Sequence, residues 1–335
     1  MQNKWLHSLA AFLFAGRLLA QDPQFTQFYA APLFLNPAFT GLTYEHRFTA
    51  NYRNQWPGVK SAYSTYMASY DYNIANLKSG IGGFLLQDRA GSSNLVTTMA
   101  GFNFAYSAKV NKYSELRGGL MLGLAQKKLD YTTLIFNDQL ITGAAPGSSQ
   151  DAKNTQAINY ADVGAGALFN TTNFWLGIAG KHLNQPNTSL TGNTDPLPLS
   201  LSAHGGYRFT LSAKSSGRTK IEEFVSASVN IRSEQKYSQL DIGAYYFKKV
   251  FNIGLWYRGL PLKKYKPGYP TRETVAILIG IEIPEKSLRI GYSYDVTISR
   301  LGINSTYGAH EVSITYEIAK KRKRTRRVLV SCPKF

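Results

Sequence analysis

Between Tyr44 and Ile318, apolar side chains recur at every second position over one stretch after another. Leu288, Ile290, Tyr292, Tyr294 and Val296 are interleaved with Arg289, Gly291, Ser293 and Asp295. Val312, Ile314, Tyr316 and Ile318 alternate with Glu311, Ser313, Thr315 and Glu317, and Phe251, Ile253, Leu255 and Tyr257 with Asn252, Gly254, Trp256 and Arg258. Ile221–Ile231 repeats the pattern. A period of two places successive side chains on opposite faces of a sheet. Helical spacing of apolar residues is not evident beyond the first 20 residues.

Fourteen such segments can be marked, starting near Tyr44, Ser61, Ser79, Leu95, Tyr113, Ile158, Thr172, Leu199, Ile221, Tyr237, Phe251, Arg272, Lys286 and Gly308. Most run for about ten residues, the length of a tilted strand crossing an outer membrane. The connections give an independent sign. Long ones follow the odd segments 5, 7, 11 and 13 (Asp130–Ala157, Leu183–Pro198, Leu260–Thr271 and Ile298–Tyr307), and very short ones follow segments 6, 10 and 12. Only the short connection after segment 9 departs from this rule. Long extracellular loops alternating with tight periplasmic turns are the habit of membrane barrels. Aromatic residues near segment ends, such as Tyr70, Tyr72, Tyr245, Tyr246, Phe247, Trp256 and Tyr257, fit interface girdles. The expected fold is all-β: a transmembrane antiparallel β-barrel of about 14 strands over residues 44–318. A soluble sandwich or periplasmic barrel is the competing reading, in which the aromatics fill a core.

The chain ends are of a different kind. Met1–Ala20 has Lys4, then an apolar run from Trp5 to about Ala15, then small and apolar residues: the order of a secretory signal peptide, with cleavage expected after Ala20. Residues 21–43 carry Pro23, Pro32 and Pro37, which a membrane strand would not hold, together with Phe25, Phe28, Tyr29, Leu33, Phe34, Leu35 and Phe39. They read as a periplasmic lead into the barrel or as a plug within it. Residues 319–335 form a basic tail containing Lys320, Lys321, Arg322, Lys323, Arg324, Arg326 and Arg327, a candidate site for a periplasmic partner or for anionic lipid of the outer membrane.

Composition narrows the function. The 335 residues carry a formal net charge of +18, a mean hydropathy of -0.23 and one cysteine, Cys332. These values exclude a polytopic helical membrane protein, a disulfide framework and a CxxC zinc or redox site. Export argues against nucleic acid as a partner of the basic tail. The five histidines show no metal-ligand spacing, and no nucleophile elbow, phosphate loop or calcium loop occurs. Asp241, Glu282, Asp295 and Arg289 read as a polar barrel interior rather than an acid–base pair. No cofactor and no enzymatic activity are expected.

Four strings carry a resemblance: Leu35-Asn36-Pro37-Ala38 with Gly41 in the lead, Asn51–Val59 (NYRNQWPGV) followed by Met67–Asp71 (MASYD), Gly177–Asn187 (GIAGKHLNQPN), and the final strand with its Lys/Arg block and Cys332–Phe335. In these the chain resembles the PorP/SprF family of type IX secretion system outer-membrane proteins of Bacteroidetes. The resemblance implies a part in exporting proteins across the outer membrane. It also implies, in some members, gliding motility through recognition of the C-terminal domain of a secreted adhesin, and association with periplasmic ring or adaptor components. Candidate partner-binding residues are Arg53, Gln55, Trp56 and Pro57 in the first extracellular connection, His182, Asn184 and Gln185 in the fourth, and the basic Lys263, Lys264 and Lys266. The contrasting reading is a passive channel or porin, which needs an open polar lumen and no partner.

Overall fold

A computed structural model describes residues 22–43, 45–59, 62–91, 95–129, 137–143, 157–190, 192–216, 219–235, 237–260, 271–299 and 302–318. Fourteen antiparallel strands pair in sequence order and close into a barrel through β1 and β14. They are β1 (His46–Gln55), β2 (Tyr63–Ile74), β3 (Ser79–Ala90), β4 (Leu95–Lys109), β5 (Ser114–Lys128), β6 (Ile158–Thr171), β7 (Phe174–Lys181), β8 (Ser200–Ser216), β9 (Thr219–Glu234), β10 (Tyr237–Lys248), β11 (Phe251–Leu260), β12 (Thr271–Ile283), β13 (Leu288–Thr297) and β14 (Ala309–Ile318). Each starts within two residues of its expected position. Closure is what period-two sequence needs in a membrane, because a ring leaves no edge of unpaired N–H and C=O groups facing hydrocarbon.

The pattern is inverted relative to a soluble protein. Outward Leu124, Ile178 and Leu255 are 60–68% exposed, whereas inward Asn103, Asp162, Asp295 and Glu311 are 0% exposed. A surface this apolar is soluble only in lipid, and a centre this polar must be satisfied from within. β1 begins and β14 ends at the same rim. The connections at that rim, 75–78, 110–113, 172–173, 217–218, 249–250 and 284–287, have at most four residues. By the loop-and-turn rule this is the periplasmic rim. Residues 129–157 and 182–199 connect strands at the opposite, extracellular rim.

Residues 22–43 lie inside the ring. They make a single 3₁₀ turn (Phe28–Ala30), one turn of α-helix (Pro32–Leu35) and another 3₁₀ turn (Pro37–Phe39), packed on β3, β4, β5, β6 and β14. Pro32 and Pro37 open their turns, where a missing N–H costs nothing. The wall is hollowed to admit this backbone. A Cβ at Gly119 of β5 would overlap Ala38 N and Pro37 C, and one at Gly80 of β3 would overlap Thr40 O. Gly41 turns the chain out towards β1 with φ +71°, a conformation that costs a side chain but not glycine. Neighbouring Gly118 faces the other way, with nothing near its absent side chain.

This pair makes a clean test. Gly119→Val is expected to destabilise the barrel by about 3 kcal/mol through overpacking against the lumen segment, and Gly118→Val to change little. Heat-dependent gel mobility of the folded barrel, read side by side for the two variants, checks this.

Candidate functional site: the lumen segment and its clamps

The segment runs the length of the bore and is gripped at three levels. At the extracellular mouth, the Asp22 carboxylate lies 3.3 Å from Lys181 Nζ and 3.1 Å from His182 Nε2, and His182 Nδ1 lies 2.9 Å from Asp162 Oδ1. The imidazole thus bridges two carboxylates, an arrangement suited to its doubly protonated form. Burial pulls the His182 pKa down, but Asp22 and Asp162 outweigh it and the net value is pushed up to about 10. Asp22 shows the mirror image. Burial raises its pKa, and Lys181, His182 and Arg232 more than reverse this, holding it well below the usual carboxylate range.

One level deeper, Glu311 of β14 accepts from the backbone N–H groups of Thr26 (2.7 Å) and Gln27 (2.9 Å). Arg53 of β1 pairs with Glu311 at 3.1 Å and with Asp295 of β13 at 2.8 Å, and Asp295 also accepts from the Thr26 hydroxyl at 2.7 Å. Arg258 pairs with Asp241 at 2.8 Å and reaches Asp295 at 3.7 Å. The Gln27 side chain donates to Glu311 O and accepts from the Ser313 hydroxyl. Phe28 and Tyr29 meet Trp256 and Tyr245 edge-on, with ring centroids 5.0 and 5.1 Å apart.

Towards the periplasm, side chains of the wall read the segment's main chain. Asn103 Nδ2 donates to Leu33 O at 2.9 Å, Arg117 donates to Ala38 O at 3.0 Å and Thr40 O at 2.6 Å, and Arg47 donates to Phe39 O at 3.3 Å. Arg47 is itself held by Asp71 through two 2.8 Å contacts, and Asp71 accepts from Gly41 N at 2.7 Å. Asn36, fully buried, accepts from Ala38 N and donates to Ala167 O and Ile178 O of the wall. The Leu35–Gly41 string is therefore an anchor: Asn36 ties the turn to β6 and β7, Pro37 starts it, Ala38 is completely buried, and Gly41 makes the exit.

Of the residues expected at the surface, Arg53 faces the lumen and is buried, which corrects its expected place in the first extracellular connection. The same alternation that puts Tyr52 outside puts Arg53 inside, and Asp295 and Glu311 are its partners. Gln55 ends β1, half-buried, next to half-buried Trp56 in a left-handed backbone (φ 60°) and exposed Pro57. His182 is likewise buried in the mouth rather than displayed. Asn184 uses its side chain to extend the β6 edge, accepting from Val163 N and donating to Ala161 O, and Gln185 is exposed. Lys263, Lys264 and Lys266, the tail from Lys320 to Arg327 and the expected signal peptide lie outside the described residues. Glu311, Arg47 and Arg117 had a sequence signal, charge on the polar face of alternating segments, but nothing in the sequence pairs them with the lead, and Asp22, within the lead, had none.

A membrane barrel carrying its own N-terminal segment in the bore is thus the class of protein that fold and site define. The chain belongs to a known family: the pattern for the type IX secretion system membrane protein PorP/SprF matches residues 18–316. Among curated proteins no match is found. Solved structures with a similar course of chain include the toluene transporter TbuX of Ralstonia pickettii, at 13% identity and TM-score 0.47 over 87% of this chain and 93% of that one. The outer membrane protein Omp33 of Acinetobacter baumannii is similar at 8% identity and TM-score 0.42, over 83% of this chain and 100% of that one.

The clamp at the mouth has a pH signature. His182 contributes fully below its unfolded value of 6.5 and loses its contribution as pH rises to about 10. Asp22 contributes fully above its unfolded value of 3.8 and loses its contribution only in acid. His182→Asn, which tolerates the local φ of 57°, is expected to cost about 3 kcal/mol near pH 5–6 and progressively less towards pH 10. Thermal unfolding in detergent across that range reads the difference.

Proposed function

We propose that this chain is a non-enzymatic outer-membrane component of the type IX secretion system. On this reading it assists export or surface attachment of a cognate cargo of the gliding-adhesin type by holding the cargo's C-terminal domain. The extracellular loops take the cargo, and the periplasmic rim with its basic tail takes a ring or adaptor component. The observation that carries the reading is the occupied bore: Thr26, Gln27, Asn36, Ala38 and Thr40 of the segment are all within 3% of complete burial. A porin or conduit needs that space open, whereas a scaffold works with its two rims and gains rigidity from a filled centre. The extracellular rim has the means to hold a protein domain, with Trp56, Pro57 and Gln185 beside exposed Val59, Leu183 and Tyr307.

Affinity purification from native outer membrane in mild detergent tests this. One large secreted surface protein is expected to co-purify, and to be lost when only its C-terminal domain is deleted. A barrel recovered without any secreted partner, from cells whose export proceeds normally without it, contradicts the proposal.

A further inference from the structure

Among the described residues, β8 and β9 run on together past both of their neighbours. β7 pairs with β8 only as far as Phe174↔Tyr207, and the last bond along that edge runs from Arg208 N to Asn173 O at 2.8 Å. β9 leaves β10 at Glu223↔Lys248. Yet β8 and β9 stay paired with each other to Ser216↔Thr219. Phe209–Ser216 therefore has no partner strand on its outer edge among the described residues, and Thr219–Glu222 has none on the other side. At roughly 3.3 Å per residue, this free edge of β8 is about 26 Å long. It leaves the barrel at the rim where β14 ends.

A two-stranded ribbon is marginal in water and gains most from a third strand. A free edge is a row of unmet donors and acceptors that an extended peptide can satisfy. The bulge between Thr210 and Ser212 turns the ribbon as it leaves the wall, with Phe209 and Leu211 exposed beside it. Charge indicates what would lie there. From Arg208 to Glu222 the sequence holds four basic residues, Arg208, Lys214, Arg218 and Lys220, against one acidic one, Glu222. The tail that starts from the same rim adds Lys320–Arg327, so neither this chain's own tail nor a second copy is electrostatically favoured.

We propose that the β8–β9 ribbon is a docking edge on which an extended, acidic segment of a periplasmic protein adds as a third strand. This deepens the proposed function by giving the periplasmic partner a place, and it rests on the assignment of that rim to the periplasm. Because Ser216 and Thr219 face each other across two residues, they exchange the ladder bonds of a two-residue hairpin, and the amides of Ala213 and Ser215 turn to the free edge.

The test uses the full-length chain in its native cells, with a photo-crosslinking benzoylphenylalanine at position 213 and mass spectrometry of the adduct. Proline is tolerated where an edge amide faces solvent but cannot donate. Ser215→Pro is therefore expected to cut the adduct about tenfold with the barrel's heat-dependent mobility unchanged, and Ser215→Ala to leave the adduct intact. Should the proline variant fail to fold, Lys214→Glu with Lys220→Glu keeps the backbone and is expected to reduce the adduct by repulsion. An adduct to an acidic segment of a periplasmic protein that responds in this way supports the proposal. No protein adduct, an adduct to residues 319–335 or to a second copy, or one indifferent to both sets of variants overturns it. Cargo co-purification from the same cells separates the outcomes, since a proposal that fails here with cargo still bound leaves the proposed function standing.

Discussion

Glu311 points into the bore near the extracellular end of β14 with no exposed surface, and its two oxygens take the backbone N–H groups of Thr26 and Gln27 while Arg53 balances its charge. A carboxylate taken out of water this completely is tolerable only when nearly every lone pair finds a donor. The wall alone supplies Arg53, and the N-terminal segment supplies the rest. The dependence runs both ways: the segment has too few contacts with itself to hold a shape, and the wall's buried charges have too few partners without the segment. Removing either side strands the other in a low-dielectric interior, so the two are expected to assemble as one unit.

The same reasoning explains the wall. Membrane barrels must present apolar residues to lipid, which leaves the polar half of every alternating strand pointing inward. In a wide water-filled pore, solvent meets that demand. Here part of the demand is met within the wall, as by Arg258 with Asp241, and part by main-chain groups of residues 26–41, read by Glu311, Asn103, Arg117, Arg47 and Asp71 in turn. Gly80 and Gly119 are the spatial counterpart of those bonds, since a segment held by its backbone has to come close to the strands that hold it.

Much of the fold was legible in the sequence because a lipid-facing barrel leaves a period-two trace that nothing later in folding erases. Strand starts, the loop-and-turn rhythm and the even count follow from that local pattern. The clamps were less legible. Arg53 lies beside Trp56 and Pro57 in the sequence and reads as part of a surface loop, but strand parity sends its side chain inward to residues about 240 and 260 positions away. His182 likewise opens a loop in the sequence, but in the fold it closes on Asp22, 160 positions earlier. Pairings across such separations are set by which strands become neighbours when the ring closes, and local pattern does not encode them. The Leu35–Gly41 string lies between these cases: its chemistry, a proline turn with a buried-capable amide and a terminal glycine, is visible, but the wall it fits is not.

On the proposed function, a filled bore leaves recognition to the two rims. At the mouth an ion cluster holds the segment, and the periplasmic rim carries the basic ribbon. That division suits a protein that links an exported domain on one side of a membrane to machinery on the other, and it makes the state of the bore the decisive property. Planar-bilayer recording of the purified, refolded full-length chain, beside a chain lacking residues 22–34, measures that state. The full-length protein is predicted to be electrically silent and the shortened one to give discrete open-channel steps. Equal, porin-like conductance from both would contradict the account at its base.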